Sequence, residues 1–553
     1  MFSAPPAPSL IPALALSLLA LGFAAPDQTP IKPLALTLRT KLDSPGLGGA
    51  CRTSEREAAW NPSQTAVIVC DMWDLHHCLN ATRRGLELAP RMDQVLKTLR
   101  SQGVTIIHAP SSCMDPYTNH PARLRAQATK RSKSLPPLIA DWCKQIPSEE
   151  ASAYPIDQRD GGEDDDPAEH ARWQARLAAL GRNPAAPWKS QTDVITIDST
   201  RDYISDNGEE IWSILETRGL DNVILMGVHL NMCVLGRPFG LRQMAKNGKN
   251  VVLMRDMTDT MYNPLKAPFV SHFSGTDRMI DHVERFVCPT IASNQFLGGK
   301  PFRFKGDKRP HVVFLIGEDE YHTETTLPSF AAAHLAKDTK ISYIFDSPTD
   351  KNDFPGLHLL DDADLILVSV RRRLLPNDQL ALIRRFVASG KPVVAIRTAS
   401  HAFAPRNQSI PEGHSAWTEF DADILGGHYV GHHGPSAVLP VSLVPQQSTH
   451  PILKDVDLSH LKLRASLYKV TPLAPSATPL LTAQFDNLPP EPVLWTNLTP
   501  SAARVVYTSL GAPENFSQPP FQRLLRNAID YSLNRPPSVN FNLAFIEPIP
   551  FPN

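Results

Sequence analysis

Short runs of aliphatic and β-branched residues alternate along the chain with stretches in which apolar residues recur every three or four positions. The first run is Thr65–Cys70 (TAVIVC), which is followed by helical spacing over Pro90–Gln102 and by the apolar run Val104–His108. Runs of the first kind predict strands, and stretches of the second kind predict amphipathic helices. The alternation therefore predicts an α/β fold with a mainly parallel sheet covered by helices on both faces. The next predicted strands are Asp193–Ile197, Asn222–Val228 and Asn250–Met254.

The same pattern starts again beyond residue 310, which predicts a second α/β domain. Its predicted strands are His311–Ile316, Ile341–Phe345, Asp364–Val370, Pro392–Arg397 and Arg504–Ser509, and its predicted helices are Leu327–Ala336, Asp378–Ser389 and Phe521–Leu533. The predicted division is a linker at 25–60, a first domain at 61–296, a linker at 297–310, a second domain at 311–536 and a proline-rich tail at 537–553.

Two segments depart from the alternation. Residues 130–192 contain the acidic run RDGGEDDDPAEH, and a charge run of this kind predicts a solvated surface insertion. Leu10–Ala25 is an uncharged apolar run that is too short to span a bilayer and ends in small residues. It predicts a signal peptide over 1–24 and hence a secreted or periplasmic protein. Because no lysine or arginine precedes the run, an uncleaved anchor remains an alternative.

Composition removes several classes of function. Of the 553 residues, 42% are hydrophobic and 20% are charged, which is typical of a folded domain rather than a disordered chain. The formal net charge of −1 gives no support for binding to nucleic acid or to an anionic membrane. We therefore expect no nucleic-acid partner, and no membrane contact once the signal peptide is removed. The sequence leaves the oligomeric state open, a homo-oligomer included.

Two reactive residues follow predicted strands, and open parallel sheets bind ligands at the carboxyl ends of their strands. Asp71 follows Thr65–Cys70, and Cys233 lies where a strand ends and a helix is predicted near Met232. A helix N-terminus stabilises a thiolate, and a nearby carboxylate can take the thiol proton. The alternatives are that Cys233 is an ordinary buried residue and that Asp71 caps a helix or turn. Export would allow disulfides among the other cysteines, which are Cys51, Cys70, Cys78, Cys113, Cys143 and Cys288.

Three motifs within 61–296 resemble those of the isochorismatase-like cysteine hydrolases, a family that includes the nicotinamidases. They are Asp71 after TAVIVC, the turn GVHLNMCV at 227–234, and NVVLMRDMTDT at 250–260. The resemblance implies a flavodoxin-like fold and cleavage of an amide C–N bond in a small-molecule substrate by an Asp–Lys–Cys triad. It assigns Asp71 and Cys233 to this triad. It also implies a cis peptide before His229 and an oxyanion hole formed with the Cys233 amide.

The lysine of that triad has no counterpart at the expected place. The predicted strand 193–197 is followed by Asp198 and Arg201, whereas Lys189 lies before it. Arg201 could replace the lysine, or Asp198 could instead raise the pKa of the thiol. A working hydrolase and a non-catalytic binding protein therefore both remain open. The residues expected to contact substrate are Trp73, Asn231, Tyr262 and His272.

Two groups of histidines and carboxylates could suggest a metal ion. Neither reproduces, at the expected place, the Asp-x-His pattern by which some nicotinamidases hold a divalent metal. We therefore predict no metal and no cofactor, and interpret these side chains as surface or hydrogen-bonding residues. The two groups are Asp74, His76 and His77, and His108, Asp115 and His120.

The second domain carries four motifs that resemble the trehalose-utilisation (ThuA-like) family, which is related to class I glutamine amidotransferases. They are GEDEYHTE at 317–324, RTASH at 397–401, GGHYVGHH at 426–433 and RVVYTSLG at 504–511. The resemblance implies a second flavodoxin-like, doubly wound domain with a carbohydrate-related ligand. The amidotransferase cysteine chemistry is excluded, because no cysteine follows Cys288.

The turn Thr398–His401 corresponds to the elbow on which amidotransferases carry their nucleophile, and Ser400 or His401 could act there. Sugar-modifying catalysis, ligand binding and a structural role all remain open for this domain. The polar residues expected near its pocket are Glu318, His322, Ser400, His401, His428 and His432.

Overall fold

The computed structural model describes residue 1 and residues 32–44 and 46–537. The predicted signal peptide, apart from Met1, and nearly all of the predicted tail lie outside the described residues. Among the described residues, no helix combines the length and the apolar character needed to cross a bilayer.

The first sheet has eight strands in the order β2-β1-β8-β7-β6-β3-β4-β5. The strands from β3 to β8 pair in parallel, and β1 joins them antiparallel through β8. The strands are β1 (Leu34–Asp43), β2 (Cys51–Trp60), β3 (Thr65–Cys70), β4 (Thr105–Ala109), β5 (Tyr203–Ile204), β6 (Asn222–Val228), β7 (Asn250–Asp259) and β8 (Thr290–Ile291). The helices are α1 (Leu79–Ser101), α2 (Pro121–Gln127), α3 (Pro167–Ala179), α4 (Gly208–Thr217), α5 (Leu241–Lys246), α6 (His272–Phe286) and α7 (Asn294–Leu297).

The second sheet has nine strands in the order β10-β9-β11-β13-β19-β18-β17-β15-β16. Its first five strands pair in parallel and the other four pair antiparallel. The strands are β9 (His311–Gly317), β10 (Lys340–Phe345), β11 (Leu365–Val370), β12 (Leu375–Pro376), β13 (Val393–Ile396), β14 (His414–Ser415), β15 (Gly431–Leu443), β16 (Lys462–Lys469), β17 (Thr478–Ala483), β18 (Glu491–Leu498) and β19 (Arg504–Thr508), of which β12 and β14 form a separate pair. The helices are α8 (Thr323–His334), α9 (Asn377–Ala388), α10 (Pro513–Phe516) and α11 (Pro519–Ser532).

Two large, mostly parallel sheets flanked by helices confirm the predicted fold class. Both sheets reverse their strand order next to their first parallel strand. In the first sheet β3 lies between β4 and β6, and in the second β9 lies between β10 and β11. Such switch points open a crevice at the carboxyl ends of the strands, where ligands bind in open α/β sheets. The fold therefore offers one crevice per domain.

The segment 25–60, predicted as a linker, contains the long hairpin formed by β1 and β2. The turn of this hairpin reaches the second domain, where Leu47 is buried in the core beside Phe345. Gly48 adopts a φ of +57°, and a Cβ at this position would lie 2.1 Å from the Thr325 carbonyl oxygen, so only glycine fits. The hairpin therefore connects the two domains. The prediction missed it because its strands carry many polar residues.

The strand predicted at Asp193–Ile197 is absent, and this segment is a loop. The Thr196 amide donates to the Asp93 carboxylate at 2.9 Å, and the Thr196 carbonyl accepts from Arg100 at 3.1 Å. These side chains form hydrogen bonds with backbone groups that would pair with a neighbouring strand if the segment belonged to the sheet. The edge of the sheet is instead formed by β5.

The insertion 130–192 is integrated into the fold and is not only a solvated surface segment. Glu149 is fully buried, and its carboxylate accepts hydrogen bonds from Arg242 at 2.7 and 2.8 Å and contacts His282 Nε2 at 2.9 Å. Burial raises the pKa of Glu149, but the hydrogen bonds from His282 and Arg242 outweigh it and lower the pKa from 4.5 to about 2. The acidic run also folds inward, because Asp164 accepts two hydrogen bonds from Arg84.

Replacing Glu149 by Gln should destabilise the protein by about 3–5 kcal/mol, because it leaves the Arg242 guanidinium buried without a counter-charge. Urea unfolding of the purified protein measures this loss. The exposed neighbour Glu150 provides the control, and Glu150→Gln should change stability by less than about 0.5 kcal/mol. Since the Glu149 pKa is lowered, its contribution is fully present above pH 4.5 and is lost as the pH falls toward 2. Equal stabilities of the two variants would contradict this assignment.

Candidate functional site

The carboxyl ends of β3 and β6 bring Asp71 and Cys233 together. Gly227 of β6 pairs with Cys70 of β3, and a Cβ on Gly227 would lie 2.0 Å from the Cys70 carbonyl oxygen. Glycine therefore lets the two strand ends approach closely. Asp71 and Cys233 are both buried, and the charge of the Asp71 carboxylate acts on the Cys233 thiol.

The cation beside this pair is Arg237. Its Nε donates to the Asp71 carboxylate at 3.0 Å, and its guanidinium is also a neighbour of the Cys233 sulfur. The Arg237 amide donates to the Cys233 carbonyl at 3.0 Å, so the arginine lies one helical turn beyond the cysteine. Trp142 of the insertion covers the guanidinium at 4.8 Å. The second oxygen of Asp71 accepts from the Ser111 amide at 2.8 Å.

Asp198 and Arg201, the candidates for the lysine's place, pair with each other instead. Arg201 contacts the Asp198 carboxylate at 2.8 Å, and its side chain is 59% exposed. Their segment is a loop rather than the expected strand. It therefore does not place the Arg201 guanidinium at the strand ends that carry Asp71 and Cys233. The family resemblance does not point to Arg237, because it places the lysine after residues 193–197, ahead of the strand that leads to Cys233. A spacing of four residues from Cys233 is the signal that could have found it, since such residues share one face of a helical turn.

The turn around Cys233 differs from a regular helix N-terminus. Leu230–Val234 forms a wide helical turn, and α5 begins only at Leu241. Burial and then the charge of Asp71 raise the pKa of the Cys233 thiol, and Arg237 opposes this rise. Burial also raises the pKa of Asp71, again opposed by Arg237. The resting site therefore holds a neutral thiol beside a carboxylate paired with a cation, rather than the thiolate expected from a helix N-terminus.

A small cavity lies next to Asp71, against the peptide between Val228 and His229. That peptide is cis, which confirms the expectation derived from the family resemblance. Burial lowers the pKa of His229 to about 4, so its imidazole is neutral at pH 7. The cavity has a volume of about 20 Å³, which is room for about one water molecule. Trp73 lines the cavity and stacks on Trp188 at 4.5 Å.

Of the four residues expected to contact substrate, Trp73 lines this cavity and the other three do not. The Asn231 side chain joins Gln158 to the Met261 backbone. Tyr262 is fully buried and donates to the Lys266 carbonyl at 2.8 Å. His272 pairs with Asp259 at 2.9 Å and instead borders a cleft between the domains.

Two of the side chains that could have suggested a metal ion, Asp74 and His108, are engaged in other contacts. Asp74 pairs with Arg182 at 2.6 Å, and His108 contacts Gln191 and Asp202. A different group of described residues, Cys78, Asp164 and Asp165, brings its ligand atoms within 4.8 Å of one another. Its carboxylates already accept hydrogen bonds, Asp164 from Arg84 and Asp165 from the amides of Leu79 and Asn80.

All seven cysteines are free thiols, so the disulfides that export would allow are not formed.

In the second domain, the elbow after β13 carries an arginine. Arg397 has a φ of +47° and is fully buried. Its guanidinium lies 4.2 Å from the ring centre of Tyr468 and 4.7 Å from that of Tyr321. Ser400 and His401 follow on the same turn, with Ser400 Oγ 3.1 Å from His401 Nδ1. Burial and four neighbouring arginines lower the pKa of His401 to about 3, which makes it a weak base.

The other residues predicted for this pocket differ in their contacts. The Glu318 carboxylate accepts four hydrogen bonds from its own loop, from Glu320, Tyr321 and Thr323. His322 is exposed and contacts Glu324. His428 pairs with Asp421 at 3.2 Å, and His432 lies 3.5 Å from the Tyr429 hydroxyl, which belongs to the aromatic group around His401.

Residues 311–532 match the family model of trehalose utilisation, ThuA. The C-terminal domain is therefore ThuA-like. No match was found among curated proteins.

Several solved structures show weak similarity. A ThuA-like protein from Bacteroides uniformis is 16% identical, with 44% of this chain and 98% of that chain covered at a TM-score of 0.31. A cysteine hydrolase from Pseudomonas syringae is 16% identical, with 42% and 91% covered at a TM-score of 0.26. An isochorismatase family protein from Desulfovibrio vulgaris is 12% identical, with 41% and 94% covered at a TM-score of 0.23.

The charges around Cys233 predict opposite effects of two substitutions on its reactivity. Asp71→Asn removes the charge that raises the thiol pKa, and Arg237→Gln removes the charge that lowers it. At pH 8, iodoacetamide should label Cys233 faster in the first variant and more slowly in the second than in the wild type, by about tenfold for each unit of pKa. Peptide mass spectrometry measures both rates. Labelling of Cys288, which is buried elsewhere, should not change. Rate changes of the same sign in both variants would contradict the assignment.

Proposed function

We propose that the N-terminal domain is a cysteine hydrolase that acts on a small amide or a related molecule, and that the C-terminal domain binds a carbohydrate-related ligand. The contact of Asp71 and Arg237 with the Cys233 thiol at a sheet switch point carries the first part of this proposal. The ThuA match over residues 311–532 supports the second part.

In the proposed reaction, Cys233 Sγ attacks the amide carbonyl carbon while its proton passes to the Asp71 carboxylate. The C–N bond then breaks, Asp71 returns the proton to the leaving amine, and a thioester forms on Cys233. A water molecule, deprotonated by Asp71, attacks the thioester carbonyl carbon, and the C–S bond breaks. Asp71 then returns this proton to the Cys233 thiolate, which restores the thiol and releases the carboxylic acid. This sequence balances protons and needs no metal or redox partner.

Two features of the site favour this chemistry. A neutral thiol beside a carboxylate is the starting state that general-base attack requires. The backbone amides at His229 and Cys233 are the proposed donors to the oxyanion of the tetrahedral intermediate. Their place at the end of β6 brings them to the same strand ends as Asp71.

Arg237 takes the part that the lysine has in related hydrolases. Its charge opposes the rise that burial causes in the Asp71 pKa, and it stabilises negative charge as the thiol loses its proton. Arginine holds its own proton more firmly than lysine, so this charge persists in a buried site. Arg237 therefore acts through Asp71 and Cys233 as a positioning and charge-stabilising residue.

The size of the cavity favours a second candidate, a non-catalytic binding protein. A volume of about 20 Å³ beside Asp71 does not admit an amide substrate unless the lining side chains move. Trp73 is one of these lining side chains, and its stacking on Trp188 of the insertion at 4.5 Å opposes such a movement. The two candidates differ in whether any small amide is turned over.

Activity on small primary amides, nicotinamide among them, should depend on Arg237 and not on Arg201. Arg237→Gln should lower kcat/KM by about 10²–10³-fold, the range expected when one preorganised charge or donor at a transition state is removed. Arg237→Lys should restore much of this loss, and Arg201→Gln should retain wild-type activity. Release of ammonia measures all four proteins. Equal loss in the Arg201 and Arg237 variants would contradict the role of Arg237, and no turnover of any amide would favour the binding protein.

The pH profile separates this role from a structural one. The active form needs Asp71 as a carboxylate, so kcat/KM should fall as the pH drops through the Asp71 pKa, which burial places above its ordinary value. Because Arg237 lowers that pKa, Arg237→Gln should move the acidic limb to higher pH. If Arg237→Gln lowers the maximal kcat/KM but leaves the acidic limb of the pH profile at the same pH, Arg237 has only a structural role.

A further inference from the structure

The crevice of the second sheet collects positive charge. Arg371 follows β11 and Arg397 follows β13, both at carboxyl ends next to the switch point. Arg372 lies beside His401, because the Arg372 amide donates to the His401 carbonyl at 3.1 Å. Arg406 directly follows Ala404 and Pro405, whose carbonyls accept from the Arg372 guanidinium. All four arginines also act on the titration of His401. Open α/β sheets bind their ligands at this place, so the charge stands where a ligand is expected.

Most of this charge lacks an acidic partner. Among the described residues, Arg371 contacts Glu320 at 2.8 Å, but Arg372, Arg397 and Arg406 have no carboxylate within salt-bridge distance. Arg372 donates instead to the carbonyls of Ala404 and Pro405 at 3.2 Å. Of these three, only Arg397 is fully buried. A buried cation without a counter-charge is costly, and an anion bound nearby would offset that cost.

Arg397 itself has unused hydrogen-bonding capacity. Its terminal nitrogens donate to the carbonyls of Ser509 at 2.6 Å and Ser466 at 3.0 Å, which are neutral acceptors. Its Nε is buried and has no partner, and neither do the buried hydroxyls of Thr398 and Ser509. These unpaired polar atoms are grouped on the elbow after β13 and the adjoining end of β19.

Besides Glu320, which contacts Arg371, two other carboxylates of the surrounding loops are already engaged. Glu318 is saturated by four donors of its own loop. Asp421 is buried and accepts from the amides of Ala422 and Tyr429 and contacts His428. Among the described residues, neither of these two carboxylates forms an ion pair with Arg372, Arg397 or Arg406.

Aromatic rings flank the same place. The Tyr429 ring lies 4.6 Å from the ring centres of both His401 and Tyr468, and Tyr321 lies over Arg397. Tyr321 and Tyr429 are partly exposed, so each has a face available to a ligand. Aromatic faces beside a few convergent polar groups are typical of small-molecule sites.

We propose that this crevice binds an acidic carbohydrate, with its carboxylate or phosphate group paired with Arg372 and Arg406 and its sugar ring against Tyr321 and Tyr429. The guanidinium geometry suits both anionic groups, because each can accept two parallel hydrogen bonds. This inference deepens the carbohydrate-binding part of the proposed function and rests on it, but it is independent of the hydrolase site. The charge distribution disfavours a neutral disaccharide as the preferred ligand.

Isothermal titration of the full-length protein with five probes tests the inference. The probes are glucuronate, glucose 6-phosphate, glucose, trehalose and inorganic phosphate. At least one of the two acidic sugars should bind ten or more times more tightly than glucose, trehalose and inorganic phosphate. The stronger of the two identifies the anionic group.

Arg406→Gln provides the matched variant, because Arg406 is exposed and its loss should not affect folding. It should weaken the acidic sugar at least tenfold and leave the weak binding of glucose unchanged, while Arg385→Gln on the exposed face of α9 should change neither. Arg372→Gln should act like Arg406→Gln, with thermal unfolding as a check because Arg372 also holds its loop.

Three results would overturn the inference, and they separate it from the proposed function. Binding of glucose or trehalose as tight as that of both acidic sugars would leave a carbohydrate site but refute its charge preference. Inorganic phosphate binding as tightly as the stronger of the two acidic sugars would refute recognition of the sugar ring. Binding of none of the five probes would refute the carbohydrate-binding part of the proposed function as well.

Discussion

The candidate site of the first domain depends on one buried ion pair, that of Asp71 with Arg237. A carboxylate that is fully buried at the end of a strand needs a cation to remain charged, and Arg237 supplies it at 3.0 Å. The same guanidinium is a neighbour of the Cys233 sulfur, so one side chain adjusts both groups. Without it, burial would favour a protonated carboxyl beside a protonated thiol, which is a pair unable to transfer the proton.

Both domains have a crevice at a switch point of their sheet, but the charged residues around the two crevices differ. In the first domain the crevice encloses a carboxylate and one cation, and its cavity is small. In the second domain the crevice presents several arginines, and the elbow residue is Arg397 in place of a nucleophile. The weak base His401 beside Ser400 fits this division, because it suits ligand binding better than nucleophilic catalysis. The hairpin of β1 and β2 joins the two units through Leu47.

Hydrophobic patterning was sufficient for the buried parallel strands. Thr65–Cys70 and Asn222–Val228 were predicted with the bounds that the structure has, because both are continuous apolar runs between polar turns. The same rule failed at Asp193–Ile197, a shorter segment with only three aliphatic residues. There Asp93 and Arg100 form hydrogen bonds with the Thr196 backbone. The rule also missed the antiparallel strands β15 to β18, since half-exposed strands carry polar residues that resemble loops.

The sequence predicts those site residues that follow the ends of strands. It does not predict those that reach the site only through side-chain packing. The positions of Asp71 and Cys233 at neighbouring strand ends could be read from the sequence. Arg237 could not be, because the family pattern directed attention to Arg201, and the contact depends on the wide turn after β6. Burial of the acidic insertion was equally hidden, since Glu149 and Asp164 find their arginines far away along the chain.

Trapping of the covalent intermediate tests the central claim most directly. The protein is mixed with a panel of small primary amides, quenched in acid within one turnover and analysed by intact-mass and peptide mass spectrometry. The account predicts an acyl group on the peptide containing Cys233, absent from the Cys233→Ala variant and reduced in Arg237→Gln. Acylation of another residue, or turnover of an amide that persists in Cys233→Ala, would contradict it.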